Sequence, residues 1–145
     1  MQNLVQQLNW IYYTYEHWHK KNLDEADITA YHSKLLDSGN IITVSESSGE
    51  LLGYCEFWRI NYEQFGRIIC GEPFSAIHED VWAGHIAYVG NTFILPEHRR
   101  GQVYKMLRDR FFELNQDCTH FVGHARRKKS EPVKVFKRSQ ILERV

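Results

Sequence analysis

The sequence predicts an α+β domain in which helices flank a central mixed sheet, with elements in the order α-α-β-β-β-α-β-α. Three observations carry this expectation. Two N-terminal segments repeat their apolar residues at helical spacing, and two runs rich in β-branched and aromatic residues (41–46 and 51–60) are separated by a turn signal. A nearly unbroken apolar run from His85 to Leu95 then stops at Pro96 and yields to a helical period from Arg99.

In the first segment Leu4, Val5, Leu8, Ile11, Tyr12, Tyr15 and Trp18 form one stripe, which predicts an amphipathic helix over about residues 3–19. Asp24 is placed to cap a second helix, with Asp27 in its first turn, Leu23 and Ile28 at the staple positions, and Gly39 at its end. Ser47-Ser48-Gly49-Glu50 joins the next two runs into a hairpin. Residues 61–84 hold three glycines and Pro73 with no sustained period, and are expected to form an irregular loop that acts as a lid or contacts substrate. The run from His85 to Leu95 predicts a central strand buried on both faces. Val103, Met106, Leu107, Phe111 and Leu114 share one helical face. A strand over about 119–125, a basic run, and a short final helix with Ser130 as cap and Pro132 in its first turn complete the reading.

The chain has 145 residues, enough for one domain at roughly 100–200 residues per domain, with 43% hydrophobic and 25% charged residues. That composition excludes a disordered chain. No apolar stretch approaches the roughly 18 residues that span a bilayer, so no membrane partner and a cytoplasmic location are expected. Cys55, Cys70 and Cys118 are too few and scattered for a disulfide framework, and no CxxC pair marks a metal site. Net charge is +0, yet the segment from His120 onward sets eight basic residues against Glu131 and Glu143. Its Arg126-Arg127-Lys128-Lys129 run has no interleaved aromatic residue for stacking on bases, and nucleic acid is not the expected partner.

Chemistry concentrates in Asn91 to Leu107, where a strand ends at a proline and Arg99-Arg100-Gly101-Gln102 opens into a helix. A helix N-terminus offers unpaired N–H groups and a positive dipole end, and two arginines beside it complete a site for a pyrophosphate. The alternative is an ordinary strand-to-helix connection with solvated arginines. Ile94-Leu95-Pro96-Glu97-His98-Arg99, with Val103 and Leu107 following, resembles the strand-loop-helix junction of the GNAT (GCN5-related) N-acetyltransferases, which bind acetyl-CoA. The resemblance covers roughly residues 41–138. Gln102 and Tyr104 stand where that family has small residues, and Gly101 comes one place early.

The resemblance implies that Phe93, Ile94 and Leu95 pair with the pantetheine arm as an added strand would. It implies that N–H groups of Arg99, Arg100, Gly101, Gln102, Val103 and Tyr104 hold the pyrophosphate, and that Arg126 neutralises the 3′-phosphate. Transfer to an amine needs a base for the amine proton and an acid for the departing thiolate. The family places its base on the central strand, which leaves His85, Tyr88 and, on the neighbouring strand, Glu56 as candidates. Tyr88 lies six residues before Ile94, on the same strand face by the period of two. Phe136 falls about where the family has a tyrosine acid, and it carries no hydroxyl.

GYCEFW (53–58), VYKMLRDRFFE (103–113) and Arg126 are also similar to the toxin-activating lysine acyltransferases. That family's histidine is matched by His17 or His19 only with a shift, and Thr92 stands in place of its aspartate. The expected activity is transfer of an acetyl or related acyl group from CoA to a primary amine, borne by a small molecule, a protein lysine or an N-terminus. A catalytically inactive CoA-binding or interaction module is the alternative, and a homodimer stays open.

Overall fold

The computed structural model describes residues 3–16, 24–71, 84–123 and 134–137. Its elements are α1 (Leu4–Ile11, continued by a π-helical turn, Tyr12–Glu16), α2 (Glu25–Ser38), β1 (Ile41–Ser45), β2 (Leu51–Ile60), α3 (Tyr62–Ile69), β3 (Ile86–Ile94), a 3-10 turn (Pro96–His98), α4 (Val103–Leu114), β4 (His120–Gly123) and β5 (Lys134–Lys137). The strands pair in the order β1-β2-β3-β4-β5. β3 and β4 run parallel, from Ile86↔His120 to Val89↔Gly123, and β4 and β5 antiparallel, from His120↔Lys137 to Gly123↔Lys134. The sheet is therefore mixed, as expected, and β3 is its central strand.

The chain divides into two compact units: Met1–Tyr54 with Phe93–Arg108, and Cys55–Thr92 with Asp109–Val145. In the first, local chemistry sets both helix starts. Asn3 and Gln6 cap α1 reciprocally, at 2.8 and 2.9 Å, and Asp24 accepts from the Asp27 N–H at 2.8 Å. Gly39, at φ 76°, closes α2 in the left-handed conformation. Asn9 ties α1 to α2 by donating to the Thr29 hydroxyl (2.8 Å) and accepting from Nδ1 of the buried His32 (2.7 Å).

Gln7 holds the hairpin turn at both ends of its amide, donating to the Gly49 carbonyl (3.1 Å) and accepting from the Leu51 N–H (2.6 Å). Gly53 is required by close approach: a Cβ there would lie 2.9 Å from the Val103 side chain and 3.0 Å from the Phe93 carbonyl oxygen. That contact seats the first turn of α4 against the strands.

In the second unit β2 runs through apolar surroundings, with Phe57 fully buried, its ring edge-to-face with Phe111 at 5.8 Å. Phe121 packs against Phe111 (5.8 Å) and Phe112 (5.1 Å) and joins β4 to the end of α4. Asn115, fully buried, ends α4 by donating to the Phe111 carbonyl at 2.8 Å and accepting from the Cys118 N–H at 3.1 Å.

Two expected elements differ. The segment 61–84 contains α3, started by a capping box in which Asn61 and Gln64 bond each other's backbone N–H groups at 2.8 and 2.9 Å. Gly66 lies inside this helix, with nothing within 4 Å of where its Cβ would be, and Gly71 at φ 95° follows the helix end. The final helix is replaced over 134–137 by β5: four residues, Lys-Val-Phe-Lys, are too short to show a helical period, and the ladder to β4 decides their conformation. Phe136 accordingly sits on a strand, away from the helical position given to a proton donor. The expected caps Ser130 and Pro132 lie outside the described residues. On β3, Ile86, Ala87 and Tyr88 are buried, whereas Val89 to Thr92 are half-buried; β2, buried at nine of its ten positions, is the strand enclosed on both faces.

Candidate functional site

The first unit contains the whole junction from Phe93 to Arg108. Leu95 leaves β3 by donating its N–H to the Leu52 carbonyl (2.9 Å), and the 3-10 turn closes with the His98 N–H on the Leu95 carbonyl (2.9 Å). Gly101 N–H then bonds the His98 carbonyl (3.2 Å), and the first helical bond of α4 runs from Met106 N–H to the Gln102 carbonyl (3.0 Å). Val103, Tyr104 and Lys105 thus have N–H groups with no intrahelical partner. Asn3, Asp24 and Asn61 cap α1, α2 and α3. No side chain among the described residues caps α4. Val103 and Leu107, 4% and 2% exposed, anchor the helix while Arg100, Gln102 and Tyr104 stay exposed.

Arg99 folds back on the strand it follows. Its Nε donates to the Ile94 carbonyl at 2.9 Å, and its guanidinium lies 5.3 Å from the Phe93 ring centroid. Phe93 is in turn stacked on Tyr15 (5.0 Å) and Tyr54 (6.3 Å). Arg99 is therefore a clip for the turn, and a strand-like ligand arm at Ile94 must share that carbonyl with it. Gly101 shows the reverse of Gly53: a Cβ there meets nothing closer than the His98 carbonyl oxygen at 3.6 Å, so the fold itself does not demand glycine. Open space over a loop beside free N–H groups is what an approaching anion requires.

In the second unit, described pairing of β3 with β4 ends at Val89↔Gly123. Thr92 donates its hydroxyl to the Cys55 sulfur (3.4 Å), so these residues share a face, yet a Cβ on Gly90 would meet the Trp58 ring at 2.2 Å. Trp58 and Cys55 stand on opposite faces of a regular strand, so the facing changes between these points, as one extra residue in a β-bulge makes it do.

The proton-transfer candidates all lie in this unit. Glu56 is 2% exposed in the middle of β2. Tyr88, 3% exposed, packs on Trp58 at 6.2 Å, and burial pushes its hydroxyl up to about 12, which keeps the proton on it. His85 precedes β3 and has a side chain 75% exposed, its Nδ1 3.2 Å from Asp117 Oδ2. Arg59 completes that cluster, donating to the Gly84 carbonyl (2.9 Å) and to Asp117 (2.5 Å), and its hydrogen bond is the main reason the Asp117 carboxyl sits below the usual carboxylate range. Sequence reasoning did not pair Arg59 with Asp117, which are separated by two helices and a strand and share no motif. Arg126, His17 and His19 lie outside the described residues. No group of three or more His, Cys, Asp or Glu side chains among the described residues is placed to hold a metal ion.

Burial pushes the Cys55 thiol from its ordinary 9.0 up to about 11, with the Thr92 hydroxyl offsetting part of this and the Glu56 charge adding to it. Between those values the unfolded chain releases a proton that the folded chain keeps, so stability falls as pH rises. Two units correspond to at most ~2–3 kcal/mol. Urea midpoints measured from pH 8 to 10 should fall, and Cys55→Ala should flatten the slope; an unchanged slope would place the thiol in water.

No protein-family model and no curated protein matches the sequence. Solved structures do. The ribosomal-protein-alanine N-acetyltransferase of Brucella melitensis is similar at 13% identity and a TM-score of 0.48, over 83% of this chain and 65% of that one. A predicted acetyltransferase of Clostridium acetobutylicum, in a structure with acetyl-CoA, is similar at 12% identity and a TM-score of 0.47, over 83% of this chain and 70% of that one. The chain thus spans just under two thirds of the length of the Brucella protein. No described helix is long and apolar enough to cross a membrane.

Proposed function

We propose that the chain is a GNAT-type acyltransferase domain that moves an acetyl or related acyl group from CoA to a primary amine. The observation that carries this reading is the junction after β3: the Pro96-to-Arg99 turn delivers the chain into an α4 whose first-turn N–H groups receive no side-chain cap from the described residues, beside Arg100 and an open Gly101.

The residues present fit a CoA pyrophosphate. The N–H groups of Val103, Tyr104 and Lys105, with the dipole of α4, would hold its charge, and Arg100 would add a cation. Acetyl-CoA, when bound, supplies a thioester whose carbonyl an amine can attack. Glu56 is assigned to accept the proton the amine must lose, at a carboxylate oxygen and directly or through one water. Tyr88, holding its proton up to about pH 12, is assigned to donate a hydrogen bond from its hydroxyl to the negative charge that develops on sulfur.

Incubation with acetyl-CoA and a panel of primary amines, with free thiol followed as it is released, tests the reading. Amine-dependent release is expected for at least one member. Cofactor binding without release for any amine would leave a binding module, and neither binding nor release would overturn the proposal.

A further inference from the structure

The first unit also contains a cleft of about 260 Å³ lined by Gln7, Trp10, Ile11, Glu50, Leu51 and Leu95. Its walls differ sharply in chemistry. Ile11, Leu51 and Leu95 are 2%, 2% and 6% exposed and make an apolar floor, whereas the Trp10 indole is 50% exposed, an unusual degree for so large a side chain. Gln7, the polar neighbour, has its amide oxygen and nitrogen bound to the backbone of the hairpin turn. Glu50 is exposed, and among the described residues no cation pairs with its carboxylate.

An exposed indole, one carboxylate and a greasy floor together select an organic cation with an apolar body. An anion meets Glu50 unfavourably, and a neutral polar ligand finds the Gln7 amide already occupied. The volume lies below the usual range for drug-sized ligands, roughly 300–1,000 Å³, which fits a side-chain-sized molecule. We propose that this cleft binds a primary alkylammonium ion, with its alkyl chain on Ile11, Leu51 and Leu95 and its charge between Trp10 and Glu50. The site stands on the cleft alone and does not depend on the acyl-transfer reading.

The probes are 1,5-diaminopentane and the blocked amino acid Nα-acetyl-lysine N-methylamide, titrated without CoA, with the Trp10 indole N–H followed by NMR and affinity by calorimetry. Saturable binding of at least one is expected, weaker in high salt. Trp10→Ala and Glu50→Gln should each weaken it by about fivefold or more, and 1-pentanol should not compete. Preference for the diamine identifies a free amine as occupant, and preference for the lysine derivative a protein-borne one; both support the site. No saturable shift for either amine, equal binding by both variants, or a Trp10 response to adenosine 3′,5′-diphosphate but not to the amines would overturn it. Thermal melts of the variants separate loss of binding from loss of fold, and a CoA titration reports on the α4 junction separately.

Discussion

Phe57→Ala is expected to be the most destabilising single substitution among the aromatic residues, at about 3–5 kcal/mol. Phe57 is wholly buried on β2, its ring is edge-on to Phe111, and Phe111 continues the contact to Phe121 on β4. Truncation removes the apolar surface and leaves a cavity between elements whose other rings are held by their own strands and helix, so little can collapse into it. At roughly 2–4 °C per kcal/mol for a chain of this size, the melting temperature should fall by about 6–20 °C. Ile69→Ala, at a side chain 51% exposed on α3, should change stability by no more than ~0.5 kcal/mol. Comparable losses for the two variants in urea denaturation would contradict the packing described for the second unit.

Glu56→Gln should have the largest effect on turnover. Glu56 is 2% exposed in the middle of β2, and the proposed reading assigns it the amine proton. General-base contributions run to about 10²–10⁴-fold, and kcat should fall within that range while acetyl-CoA affinity stays within about twofold of the parent. The amide keeps the shape of the side chain, which separates loss of the base from loss of packing. His85→Ala, at the exposed imidazole beside Asp117, should keep most of the activity. If instead His85→Ala abolishes turnover and Glu56→Gln does not, the proton goes to the Asp117-oriented imidazole.

Those parts of the fold that rest on local chemistry were legible in the sequence. Asp24 and Gly39 bound the second helix where capping and left-handed geometry require it, and Ser47 to Glu50 turn the hairpin. The strand-proline-helix junction at Leu95 to Val103 was visible because a proline, a glycine and a change of period coincide there. Elements missed were those too short to carry a period. Asn61 and Gln64 spell a capping box, but eight residues of α3 containing Gly66 do not outweigh the glycines and proline around them. Lys134 to Lys137 are a strand because β4 offers an edge, a fact about tertiary pairing and not about those four residues. The same limit applied to the site. Arg99 reads as a phosphate ligand by type, and only the structure reveals that it clips the Ile94 carbonyl; the cluster of Arg59, His85 and Asp117 is assembled wholly by topology.

The central claim is that the junction between β3 and α4 is a pyrophosphate site, and calorimetric titration of acetyl-CoA into the parent protein and Gly101→Val tests it most directly. The nearest atom to an added Cβ is 3.6 Å away, an ordinary contact, so the melting temperature should stay close to the parent's. In the parent, binding should be saturable. In the variant it should weaken by about tenfold or more, or ~1.4 kcal/mol, because the added side chain stands where the phosphates approach the backbone. No heat at millimolar acetyl-CoA, or one dissociation constant shared by both proteins, would contradict the assignment.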